Sequence, residues 1–179
     1  LNVSITQLEQ LLNLIQAFSE RNFATGVVSK EIRDSLQTAV DSCGQKTYDH
    51  SLDVNTVTAL KNAIELCRNS LANAWREEAD EKCSSVIESL ASLKGLLGNK
   101  REVEEILVSL TNAKINMPTS SKALDTFSTD VESGRRIVDG LDFTSNPEIK
   151  PFIDKVRRQR ATVGDLTTPI LEWLNKNHL

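Results

Sequence analysis

Two charged clusters have the residue types and spacing that binding chemistry would use. Glu77, Glu78, Asp80 and Glu81 crowd five consecutive positions. On a helix Glu77, Asp80 and Glu81 fall at i, i+3 and i+4, close together on one face. Carboxylates so placed could hold a divalent cation through their oxygens. A dedicated site draws ligands from a second helix as well, and the Glu-x-x-His pair of di-metal bundles occurs nowhere in the chain. The group therefore reads as solvated helix surface, and no metal is expected.

The second cluster is "KVRRQR", Lys155 to Arg160. Between Asn146 and Val163 five bases stand against two acids, in a chain whose net charge is −4. Such a run, extended by Arg135 and Arg136, could grip the phosphates of a nucleic acid. On a helical wheel Ile149, Phe152, Val156 and Val163 gather on one side, with Ile153 beside them. Lys155 and Arg158 lie opposite, Arg157 lies on a flank, and Arg160 meets the edge of the apolar stripe. The bases wrap around the helix, and no aromatics stand between them to stack on nucleobases. A solvated face is the better reading. Arg160, half inside, would need a carboxylate from another helix or from a partner.

Nucleophilic chemistry has less support. The two histidines are His50, in a loop, and His178, one residue from the last, where a side chain is hard to hold still. Cys43, Cys67 and Cys83 have no C-x-x-C spacing, so neither a disulfide framework nor a zinc clip is indicated, and they read as small hydrophobes in a reducing cytoplasm. "GLLGNK", from Gly95 to Lys100, lacks both the phosphate-loop spacing and a preceding strand. No catalytic residue and no cofactor is expected.

The elements that would carry these groups are helical. Of 179 residues, 39% are hydrophobic and 26% charged, the balance of a folded chain with enough length for one core or two lobes. Seven glycines and four prolines are too few for the closely spaced turns of a β-sandwich. No apolar run approaches the ~18 residues of a membrane span. The opening LNVSITQLEQ lacks the basic flank and cleavage site of a signal peptide, and without an initiator Met the chain is expected to be a piece of a longer protein.

Ser4 and Gln7 resemble a capping box, followed by the stripe Ile5, Leu8, Leu12 and Ile15. A second helix is expected from Ser29, with Ile32, Leu36 and Val40 inward, stopping at Gly44; Gln45 to Leu52 reads as a loop. Then Val57, Leu60, Ile64, Cys67, Leu71, Trp75, Ala79, Cys83, Val86, Leu90, Leu93 and Leu97 recur over 40 residues in 11 steps, a mean of about 3.64 against the 3.6 of an α-helix. Their phase survives the charged stretch Ala72–Ser85, which is expected to be the solvated waist of one helix, with Arg76 facing Asp80 and Glu78 facing Lys82.

Gly98 ends that helix, and Asn99 with Glu102 opens a fourth burying Val103, Ile106, Leu107 and Leu110 before Met117-Pro118. Ser120 or Ser121 caps a fifth, with the heptad seam Leu124, Phe127, Val131, Gly134, Val138 and Leu141; Gly134 there suggests that another backbone passes close by. A sixth helix is expected near Pro151. Thr168-Pro169 opens the last, with Ile170, Leu171, Trp173 and Leu174.

The expected fold is all-α: an elongated antiparallel bundle of six or seven helices on one central helix, from about 53 to 97. It is read as a single helical domain over 1–179, with sub-lobes 1–98 and 99–179. The leading functional expectation is a non-enzymatic scaffold whose partner is another protein or the rest of its own longer chain. Trp173, Leu174 and Phe143 are the apolar contact candidates, with Arg160 as a charged anchor. The alternative is a nucleic-acid-binding accessory domain using Lys155, Arg157, Arg158, Arg160, Arg135 and Arg136.

Overall fold

Seven α-helices form among the residues that the computed structural model describes: 2–94, 100–140, 147–158 and 160–177. They are α1 (Asn2–Glu20), α2 (Lys30–Tyr48), α3 (Val54–Leu93), α4 (Lys100–Ile115), α5 (Ser121–Asp139), α6 (Ile149–Arg157) and α7 (Thr168–Lys176). No strand occurs among the described residues. Leu97, the Gly98–Asn99 junction, the rest of "GLLGNK" before Lys100, Leu141, Phe143 and His178 lie outside them.

The long helix is there. α3 runs for 40 residues, about 60 Å at 1.5 Å per residue. From Leu60 to Leu93 every member of its apolar series is buried, and Val57 is half-buried. Its start is fixed by Asp53, whose Oδ1 accepts from the Thr56 amide at 2.7 Å and the Thr56 hydroxyl at 2.9 Å. Lys46 donates to the other oxygen at 2.8 Å. These partners, Lys46 first, hold the Asp53 carboxyl well below the usual carboxylate range.

The chain divides into two compact units, Leu1–Glu78 with Asn116–Leu124 and Ala79–Ile115 with Asp125–Leu179. In the first, Leu11, Leu36, Leu60, Ile64, Cys67 and Leu71 are core members. A second focus joins Phe18, Phe23 and Trp75, with ring centroids 5.6–6.0 Å apart in tilted and edge-on pairs. Such pairs add about 0.5–1.5 kcal/mol beyond the area they bury.

In the second unit Val86, Leu90, Leu93, Val103, Ile106 and Leu110 are buried. The heptad seam of α5 lies inward, with Phe127, Val131 and Gly134 buried. A Cβ on Gly134 would stand 2.5 Å from Val86 Cγ1 and 3.2 Å from Leu90 Cδ1. The close neighbours are thus side chains of α3, and not the backbone that the glycine suggests.

Several local readings are corrected. α1 begins at Asn2, and its buried residues are Ser4, Leu11, Leu14, Ala17 and Phe18. The stripe Ile5, Leu8, Leu12 and Ile15 is a second apolar face, with Ile5 and Leu12 exposed. Gly44 does not stop α2, which continues to Tyr48. The cost of an interior glycine, about 1 kcal/mol, is offset by burial of Cys43 one residue before it. α2 ends instead at Asp49 and His50, the latter left-handed at φ 53°.

α6 starts at Ile149 and stops at Arg157, so Val163 is not on its apolar face; Val163 opens a separate 3-10 turn, Val163–Asp165. α7 is capped by Thr167, one residue earlier than expected, with Pro169 in its first turn.

Candidate interaction groove

The second apolar face of α1 has a use. Leu8, Leu12 and Ile15 form one wall of an open groove of about 540 Å³, and Arg33, Leu36 and Val40 of α2 form the other. Cys67 of α3 contributes to the lining, and Gly26, Val27 and Val28 complete it. Leu12 is 50% exposed and Val27 81% exposed. Burying a leucine or valine is worth roughly 1.5–3 kcal/mol, so a partner covering these residues would collect energy that folding leaves unused.

The groove is built by sequence features that act together. Ser29 starts α2, its hydroxyl accepting from the Ile32 amide at 3.4 Å. The connection from α1 turns through Asn22, left-handed at φ 56°, into a 3-10 turn over Ala24–Gly26. That turn is held by Glu78. One carboxylate oxygen accepts from the Ala24 amide at 3.0 Å, and the other from the Thr25 amide at 2.8 Å and the Thr25 hydroxyl at 2.7 Å. Gly26 fits because a Cβ there would lie 2.9 Å from the Ser19 amide nitrogen.

Glu78 is therefore no solvated surface residue; it is 8% exposed. Buried carboxylates need such donors to offset lost hydration. The rest of the charged stretch is as expected: Arg76, Glu77, Asp80 and Glu81 are exposed, while Trp75 and Ala79 are fully buried in line with the apolar series. The spacing held a signal: Glu78 follows Leu71 and Trp75 by seven and three positions, on the edge of the apolar stripe.

The other acids do not converge with it. Asp80 is held by Lys114 and by the Ser84 hydroxyl at 2.8 Å. Lys114 is the main reason its carboxyl lies low, and Asp80 in turn raises the Lys114 ammonium. Arg76 turns to Asn73 at 3.3 Å instead of Asp80. Among the described residues no three His, Cys, Asp or Glu side chains gather as metal ligands would.

The "KVRRQR" run is split between elements. Lys155 pairs with Asp165, whose carboxyl is lowered to about 2, chiefly by that lysine and then by Thr162. Arg158 and Arg160 are exposed. Arg160 is not half inside, because α6 ends before it and no helical wheel applies there. The Arg157 side chain lies outside the described residues. On α5, Arg135 donates to the Lys82 carbonyl at 3.3 Å, and Arg136 is exposed.

Trp173 is 3% exposed and Leu174 half-buried, so the largest side chain of the last helix is not an exposed contact surface. Cys43, Cys67 and Cys83 are buried free thiols, and burial pushes the Cys67 and Cys83 thiols up, away from the reactive thiolate. His50 is exposed. Among the described residues no helix is long and apolar enough to cross a membrane. No protein-family model, curated protein or solved structure matches the chain.

Proposed function

We propose that this chain is a non-enzymatic helical interaction module that holds a protein partner in the groove between α1 and α2. The observation that carries the reading is the second apolar face of α1, with Leu12 half exposed inside an open groove. Apolar residues aligned along a groove of this size are typical of contact surfaces. Buried inert thiols and carboxylates committed to ion pairs or to the turn lend no support to an enzymatic reading.

The test is site-specific photo-crosslinking in the cells that make the protein. A photoreactive residue at Leu12 is expected to trap a discrete protein, and the same residue at the exposed Glu65 of α3 is not. Trapping must also be lost when Val40→Glu places a charge on the opposite wall. Equal labelling from positions 12 and 65 would show that the groove holds nothing in particular.

A further inference from the structure

The groove's two walls specify what fits between them. Leu8, Leu12 and Ile15 are spaced four and three along α1, and Arg33, Leu36 and Val40 three and four along α2. Each wall is thus a single helical stripe. Two stripes facing one open space present the complement of a third, since side chains at i, i+3, i+4 and i+7 of an incoming helix interleave with ridges of that spacing.

An extended segment suits the space poorly. Its amides and carbonyls need a sheet edge to pair with, and helical walls, whose backbone groups are already bonded internally, offer none. A helix brings its own backbone bonds and presents only side chains.

Charge narrows the occupant. Among the described residues Arg33 is the only charged one lining the groove. Among the described residues its guanidinium makes neither an ion pair nor a hydrogen bond. Its polar neighbour on the wall, Gln37, already donates to Asp41 at 2.8 Å. An unpaired guanidinium beside a surface to be desolvated selects a carboxylate, with which it forms paired, planar hydrogen bonds.

We infer that the occupant is an amphipathic helix from a partner protein, carrying an apolar stripe for Leu8, Leu12, Ile15, Leu36 and Val40 and an Asp or Glu beside that stripe for Arg33. The inference rests on the interaction reading above and adds the partner's conformation and charge. Arg33 acts as the specificity residue, and the apolar walls provide most of the binding energy.

The experiment is a display selection on the intact chain, using a library of helix-biased peptides of about 15–20 residues, with the Leu12→Glu protein for counter-selection. Peptides that bind the wild type and not Leu12→Glu are expected to share an apolar i, i+3, i+4, i+7 pattern with an acid at one fixed flanking position. A selected peptide should lose about tenfold in affinity when that acid becomes Gln, and by a similar factor against Arg33→Glu protein. Exchanging its acid for Lys should restore binding to Arg33→Glu, a reciprocity that a merely structural role for Arg33 would not produce.

Groove-dependent peptides with no acid preference, or with proline-rich extended sequences, would overturn the inference and leave the interaction reading in place. Absence of any groove-dependent peptide, together with no crosslinking from position 12, would remove both. If concentration-dependent self-association, abolished by Leu12→Glu, accounts for the groove, its occupant is a second copy and the inference is wrong.

Discussion

The carboxylate of Glu78 and the side chain and amide of Thr25, 53 residues apart in sequence, share one oxygen at 2.7 and 2.8 Å. This contact makes a residue of the long helix responsible for the turn whose next residues line the groove. Removing the carboxylate leaves the buried amide and hydroxyl of Thr25 without their acceptor, and a buried donor without a partner costs about 1–3 kcal/mol. Glu78→Ala is expected to lower stability by about 3 kcal/mol in urea titrations, and Thr25→Val by about 1 kcal/mol. The double variant should fall short of the sum by at least about 1 kcal/mol; strict additivity would mean that the two groups do not act together.

Gly134→Ala sets helix propensity against space. Alanine gains up to about 1 kcal/mol over glycine in a helix, but its methyl would stand 2.5 Å from Val86 Cγ1. Val86 is β-branched and stiff within α3, so it cannot swing aside. Overpacking of this kind costs about 1–3 kcal/mol, and a net loss of roughly 1–2 kcal/mol is expected by calorimetry. Adding Val86→Ala should make the alanine at 134 favourable, a reversal that separates crowding from any other effect.

His50 holds the left-handed position after α2 at φ 53°, where a side chain crowds the backbone and glycine does not. His50→Gly is expected to raise stability by about 0.5–1 kcal/mol. Thermal melts would check this, and an unchanged or lower midpoint would contradict it.

Acid should reveal the Lys155–Asp165 pair. The Asp165 carboxyl is lowered to about 2, below its unfolded value near 3.8. Its contribution is therefore complete above pH ~4 and disappears as pH falls through that window. The Lys155 side chain is about half exposed, so the effect should be small and should shrink at high salt. Comparing Asp165→Asn with wild type from pH 5 to about pH 2, the variant's acid limb should be flatter at low salt, and the two curves should converge in salt.

The long helix was legible because one unbroken stripe, from Leu60 to Leu93, meets its neighbours along its whole length. α1 was not legible in the same way. It carries two overlapping apolar stripes, one through Leu11, Leu14 and Phe18, the other through Leu8, Leu12 and Ile15. Periodicity weighs them equally, and only the tertiary partners decide which is covered. Glu78 was missed because its donors come from a distant turn, which no local charge pattern can announce. Arg160 failed for a simpler reason: the helical wheel was extended past the end of α6.

The aromatic cluster around Trp75 gives the molecule a built-in optical address. The chain has two tryptophans, and each compact unit holds one, Trp75 in the first and Trp173 in the second. With Trp173→Phe, the emission that remains comes from a ring set against Phe18 and Phe23, next to the turn that Glu78 holds. Its colour and intensity would then follow the packing of α1 and that turn against α3, while the tryptophan of α7 no longer contributes.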